Sequence, residues 1–109
     1  RLIDNSSAAA HDGGAGLNRL VLTAQLVERG ALRYTPAGLP ALDLRLQHES
    51  LATEDGLPRK VSLEIKALGV GAITQPLGAL ALGSRGEFAG FLATARNGRG
   101  LLFHITSLA

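Results

Sequence analysis

The most regular pattern in the chain is LDLRLQHE, residues 42–49, in which leucines alternate with polar side chains. One face of this stretch carries the three leucines and His48, and the other face carries only charged or amide side chains. Successive residues of a strand point to opposite faces, so the pattern predicts a strand with one buried and one solvated side. Such strands are typical of antiparallel sheets.

Similar alternation lies on both sides of this strand. A first strand is predicted from about residue 18 to residue 27, where positions 20, 22, 24 and 26 point inward. A third is predicted over residues 59–68, a fourth over residues 84–95 and a fifth over residues 100–108. The chain is therefore predicted to be all-β.

The connections between these strands carry turn signals. Residues 34–40 contain two prolines and a glycine and predict a turn, and polar residues 50–58 predict a long hairpin loop. Residues 69–83 are apolar but interrupted by glycines and one proline, so we expect a loop or a short helix that closes one end of the core. Asn97-Gly98 predicts a type I′ hairpin.

Five antiparallel strands with a long connection from the third to the fourth predict a five-stranded Greek-key barrel of the OB type. An SH3-like barrel and half of a β-sandwich remain alternatives at this point. Gly86 and Gly90 suit the coiling that a small barrel needs. Residues 1–17 show no strand or helix period, and we expect a flexible lead there, followed by one domain over residues 18–109.

Composition excludes several classes of protein. The chain has 109 residues and no cysteine, so a multidomain enzyme, a disulfide scaffold and a zinc finger are excluded. No apolar run is long enough to cross a membrane and no signal peptide is visible, which favours the cytoplasm. Asp43 and His48 point to opposite faces of their strand, and no catalytic motif or metal-ligand spacing occurs. We therefore expect a protein that is not an enzyme and uses no cofactor or metal.

The basic residues indicate a possible anionic partner. The net charge is +2, and residues 18–109 carry +3. On an OB barrel the outer face of the second and third strands and two neighbouring loops bind oligonucleotides, so cations scattered in sequence would converge on one groove. The candidates for binding nucleic acid are Arg33, Arg59, Lys60, Lys66, Arg96 and Arg99.

Aromatic residues are scarce, although stacking on aromatic rings is how sequence-tolerant single-strand binders hold bases. The chain has one tyrosine and three phenylalanines. The candidates outside the expected core are Tyr34 and one of the phenylalanines of the fourth strand.

Three stretches together resemble the PriB family, the primosomal replication proteins N of proteobacteria. They are residues 18–50, residues 56–72 and residues 82–108, and they contain NRLVL at residues 18–22, PAGLP at residues 36–40 and the Asn97-Gly98 hairpin. The resemblance implies an OB-fold homodimer that binds single-stranded DNA and helps restart stalled replication forks. It implies as partners the PriA helicase and, in some bacteria, DnaT.

The resemblance also assigns residues. It implies DNA contacts for Arg33, Arg59 and Arg96, but Leu57 and Ser62 stand where better-known members carry aromatic rings. An alternative is therefore a protein scaffold that mainly binds PriA and holds DNA weakly. For the homodimer we expect a contact through the outward side chains of the first strand, Val21, Thr23 and Val27.

Overall fold

Six strands and one short helix make up the part of the chain that the computed structural model describes, residues 16–109. The predicted flexible lead lies outside the described residues except for Gly16 and Leu17. The helix follows a 3₁₀ turn at Gly71–Ile73. The elements are β1 (Leu20–Arg29), β2 (Arg33–Tyr34), β3 (Pro40–Glu54), β4 (Leu57–Val70), α1 (Thr74–Ala79), β5 (Arg85–Thr94) and β6 (Leu101–Leu108).

The strands form one sheet in the order β1-β5-β6-β4-β3-β2, and β1 also pairs with β3, which closes a barrel. The pairing of β4 with β6 is parallel, and the other pairings are antiparallel. The two-residue strand β2 only extends the edge of β3. The predicted all-β, five-stranded Greek-key barrel of the OB type is therefore confirmed.

The core is built from the inward faces of the strands and from one residue of the helix. The largest fully buried side chains are Leu26, Leu46, Leu77, Phe88 and Phe103. Leu77 of α1 packs so closely on β4 that a Cβ atom on Gly69 would lie 2.4 Å from the Leu77 Cδ1 atom. The expected short helix at the end of the core is thus present.

The connection between β3 and β4 differs from the prediction. The loop expected over residues 50–58 is instead a continuation of both strands, joined by a turn at Asp55-Gly56 whose φ angles are 51° and 76°. Two positive φ angles are typical of a two-residue type I′ hairpin. Residues 49–62, which we call the arm, are polar because they project beyond the barrel, and this polarity was wrongly interpreted as a loop.

The type I′ turn predicted at Asn97-Gly98 was also wrong. Gly98 has a φ of 77°, but Asn97 does not adopt a positive φ. The Asn97 side-chain oxygen accepts a hydrogen bond from the Arg99 amide, and the Gly98 amide donates to the Ala95 carbonyl. These local bonds favour a longer turn. The register of β5 on β6 is nevertheless symmetric about Asn97-Gly98.

Candidate nucleic-acid interface

A groove of about 350 Å³ lies between β3, β4 and the loop that joins β5 to β6. It brings together Arg33, which precedes β3, and Arg96, which lies in that loop. Asp43 and Leu68 lie on opposite strands of its floor. Two of the predicted cations, far apart in sequence, therefore face the same groove.

The Arg33 guanidinium is held by Asp43. Its Nε and one Nη atom donate to the two carboxylate oxygens over 2.7 Å and 3.0 Å. This two-pronged hydrogen bond, together with the opposite charge, raises the pKa of Arg33. The same bond lowers the pKa of Asp43, and this effect exceeds the opposing effect of partial burial. Asp43 thus neutralises Arg33, and Arg96 leaves the groove with a net positive charge.

The floor of the groove continues sideways into an aromatic pair. Leu68 of β4 is the register neighbour of His104 on β6, and His104 is the register neighbour of Phe91 on β5. The rings of Phe91 and His104 are stacked with centroids 4.8 Å apart and planes 6° apart. Phe91 is 39% exposed. A row of outward side chains therefore runs from Asp43 and Arg33 through Leu68 to a partly open aromatic face.

Charged side chains form a second row on the same outer surface, next to the row that contains Asp43 and Leu68. Lys66 of β4 is opposite Arg45 of β3. Arg45 contacts Glu28 and Glu64 over 3.4 Å and 3.3 Å. Lys66 forms no ion pair with any residue of the described range, so its charge is available to an anionic ligand.

The remaining predicted cations are more dispersed. Lys60 shares the outer face of β4 with Lys66 but lies on the arm, opposite Leu51. Arg59 points to the other face and donates to Glu54 over 2.7 Å. Arg99 follows Gly98 in the same exposed loop as Arg96. The structure therefore gathers Arg33 and Arg96, places Lys66 nearby, and leaves Arg59 on a different face.

The sequence prediction underestimated the aromatic pair. One phenylalanine of the fourth strand was a candidate for stacking, but His104 was not. The predicted hairpin centre at Asn97-Gly98 already places Phe91 opposite His104. The register implied by that turn was the signal that could have identified the pair.

Two further observations concern metal ions and membranes. Within residues 16–109, no three His, Asp or Glu side chains are grouped so that they could hold a metal ion. The helix α1 has six residues, and the described part of the chain contains no helix long and apolar enough to span a bilayer.

Comparison with known proteins shows the family of the chain. A family described as another single-strand binding protein family matches residues 18–107. The replication restart protein PriB of Bordetella pertussis is 49% identical over 80 residues, which are 73% of this chain and 75% of that protein. The PriB protein of Photobacterium profundum is 36% identical over 88 residues, 78% of this chain and 85% of that protein.

Solved structures show the same relationship. A structure of the protein PriB from Ralstonia solanacearum has a TM-score of 0.80 and 40% identity, and the match covers 86% of this chain and 97% of that one. The single-strand binding domain of a Synechococcus protein matches with a TM-score of 0.66 at 21% identity over 88% of this chain and 98% of that one, which is a likeness of fold.

An OB barrel with a basic groove that runs into a stacked aromatic pair defines a protein of the single-strand binding class. Within that class, the chain belongs to the PriB family of replication restart proteins. The names of these relatives describe binding and replication restart, and none describes a catalytic activity.

Proposed function

We propose that this chain binds single-stranded DNA along its outer face, from the groove at Arg33 and Arg96 to the Phe91–His104 pair. The observation that carries this proposal is the unbroken row of outward side chains across β3, β4, β6 and β5. A backbone of phosphates needs cations at intervals, and unstacked bases need an exposed ring. Both lie here on one surface.

Each group has a defined role in this proposal. Arg96 and Lys66 contact phosphates, and Arg33 does so when a phosphate replaces Asp43 on its guanidinium. Phe91 stacks on a base, and His104 supports the Phe91 ring from its other side and so fixes its plane. Contacts of this kind tolerate any base sequence, because every base has an aromatic face.

Substitution of Phe91 tests the stacking role. Stacking contributes about 1–3 kcal/mol per base, so Phe91→Leu is expected to weaken oligo-dT binding by roughly 5-fold to 150-fold. Phe91→Trp, the matched control, keeps an aromatic face and is expected to retain affinity. Equal affinities for the leucine and tryptophan variants in a fluorescence anisotropy titration would refute the role of Phe91.

We further propose that the protein is a homodimer that acts in the cytoplasm. Val21 and Val27 are exposed on the outer face of β1, which also carries Thr23, and they supply apolar area for a two-fold contact. Val21→Lys places a charge on that face and is expected to yield a monomeric mass by light scattering at micromolar concentration. A wild-type protein that is itself monomeric would refute the dimer.

The proposed biological role is to stabilise the PriA helicase on DNA at stalled forks, with DnaT as a further partner in bacteria that have it. The names of the relatives, replication restart proteins, support a role at such forks. The proposed DNA surface leaves the opposite side of the barrel for protein contacts.

A second candidate is a scaffold that mainly binds PriA. Two exposed leucines favour it, because Leu51 and Leu57, on opposite faces of the arm, are 75% and 64% exposed and offer aliphatic side chains to a protein partner. Titration of labelled oligo-dT with and without PriA separates the two functions. Binding by the chain alone supports the first, and a complex that forms only with PriA supports the scaffold.

A further inference from the structure

The strand β4 has a long unpaired edge. It pairs with β3 along its whole length, from Leu57 to Val70, but with β6 only at Ala67–Gly69. Residues 57–66 therefore have no strand of the described chain on their other side. Such an edge presents a row of free backbone N–H and C=O groups and is a template for another strand.

The residues along this edge complement themselves around Ser62. If two copies of the edge run antiparallel with Ser62 opposite Ser62, then Val61 lies opposite Leu63 and Lys60 lies opposite Glu64. An apolar pair and an opposite-charge pair thus form twice, once on each side of the two-fold axis. Directly opposed pairs of both kinds stabilise a sheet.

We propose that the β4 edges of two copies of this chain pair antiparallel about Ser62, so that two arms form one four-stranded ribbon. The contact is isologous, because the same residues serve on both sides. It also brings the exposed Leu63 of each copy against the other's Val61 on the face that continues the barrel core.

The other edge of the arm does not offer the same contact. Residues 48–54 of β3 carry Glu49 and Glu54 but no lysine or arginine, so two copies of that edge cannot form a lysine–glutamate pair like that of Lys60 and Glu64. At its base the edge is held to β1, because His48 Nδ1 donates to the Thr23 carbonyl over 2.7 Å and Ser50 donates to His48 Nε2. Charge complementarity therefore favours the β4 edge.

This contact is separate from the proposed DNA surface and from the proposed β1 dimer. It uses backbone groups at the strand edge, whereas DNA would lie on the strand face. A test without DNA therefore distinguishes its failure from failure of the proposed function.

A single cysteine gives a direct test, because the natural chain has none. Opposed residues of an antiparallel pair have Cα atoms about 4.5–5.5 Å apart, which suits a disulfide. Ser62→Cys is therefore expected to form a disulfide-linked dimer under mild oxidation without DNA. Glu49→Cys is the matched control, because Glu49 is the register partner of Ser62 on the same face but belongs to the other edge.

Charge exchange then tests the register. In the Ser62→Cys background, Lys60→Glu sets two carboxylates against each other at both charged pairs and is expected to slow cross-linking about tenfold. Adding Glu64→Lys restores the opposite charges and is expected to restore the rate. Thermal melts confirm that each variant is folded, because Glu64 also contacts Arg45.

Three outcomes would overturn the proposal. The first is cross-linking of Ser62→Cys no faster than that of Glu49→Cys. The second is a double charge variant that stays as slow as Lys60→Glu. Faster cross-linking of Ser62→Cys with a Leu51→Cys copy than with itself would likewise overturn it, because the β3 edge would then be the partner.

Discussion

At Arg33, a phosphate must compete with a carboxylate for the same guanidinium. The Nε atom and one Nη atom of Arg33 already donate hydrogen bonds to Asp43. Bidentate bonds of this kind are strong and directional. Asp43 therefore limits how much Arg33 contributes to an anion in the groove.

Removal of the Asp43 charge is expected to strengthen DNA binding. Asp43→Asn releases Arg33 and removes one negative charge, so oligo-dT should bind several-fold more tightly at low salt. The slope of log K against log salt should steepen by up to about 0.7, the value for one added phosphate contact on a single strand. Glu87→Gln, which removes the same charge on β5 outside the groove, is the control. A weaker or unchanged affinity for Asp43→Asn would contradict this role of Arg33.

The ion pair between Arg33 and Asp43 also makes the thermal stability of the fold depend on pH. The pKa of Asp43 is lower in the folded chain than in the unfolded chain, so its stabilising contribution is present above the unfolded pKa of about 3.9 and is lost as the pH falls through the folded pKa. The effect is small because both side chains are about half exposed. Between about pH 5 and pH 2, the wild type should lose more thermal stability than Asp43→Asn. Parallel losses would show that the pair does not stabilise the fold.

Gly90 is required where β5 approaches β6. A Cβ atom at this position would lie 1.7 Å from the His104 carbonyl oxygen, and backbone cannot move aside as a side chain can. Gly90→Ala is expected to reduce the free energy of unfolding by about 3 kcal/mol.

Gly86→Ala on the same strand is the comparison for Gly90→Ala. Its Cβ would lie 3.0 Å from the flexible end of Leu108 and at an ordinary contact distance of 3.6 Å from the Phe88 ring. Urea denaturation should therefore show a clearly smaller loss for Gly86→Ala. Equal losses for the two variants would contradict the close approach at Gly90.

Among the elements, α1 contributes most through one residue. Leu77 is fully buried at the end of the barrel, and Arg29 of β1 donates hydrogen bonds to the carbonyls of Leu77 and Leu80. A helix of six residues is too short to be stable alone. Its position therefore depends on these contacts with the barrel.

Truncation of Leu77 is expected to destabilise the whole barrel. Leu77→Ala should cost about 2–5 kcal/mol through lost burial and the cavity that remains. Leu82→Ala, an exposed leucine just after the helix, should change the free energy of unfolding by less than about 0.5 kcal/mol. Similar losses for the two variants in chemical denaturation would show that α1 does not close the core.

The strands were predictable from sequence wherever they cover the core. Alternation around Leu44 and Leu46 identified β3, because burial on one face imposes a period of two. The arm was not identified, since no core lies beneath it and residues 49–54 show no alternation of apolar and polar side chains. The Asp55-Gly56 pair was the local signal that these strands continue to a tight turn.

The candidate site was predictable only in part. Arg33 and Arg96 could be placed together because the predicted topology brings their loops to one groove. The hydrogen bonds between Arg33 and Asp43 depend on side-chain geometry, which no spacing in the sequence encodes. Arg59 was grouped with Lys60 as a candidate, although alternation along the predicted third strand places these two side chains on opposite faces.

At the scale of the whole molecule, the proposed interface depends on where a modest excess of positive charge is placed. Residues 18–109 carry only +3, yet Arg33, Lys66 and Arg96 lie on one side of the barrel beside the Phe91–His104 pair. Electrostatic attraction of this kind acts through release of counterions from the nucleic acid, so it depends strongly on salt.

The salt dependence of binding to oligo-dT is the most direct test of this surface. The affinity of the wild type should fall steeply as salt rises, and Arg96→Ala should lower the affinity and reduce the slope of log K against log salt by about 0.7, the loss of one phosphate contact. A wild-type affinity that does not change with salt, or an Arg96→Ala variant with the wild-type slope, would contradict a nucleic-acid interface at this groove.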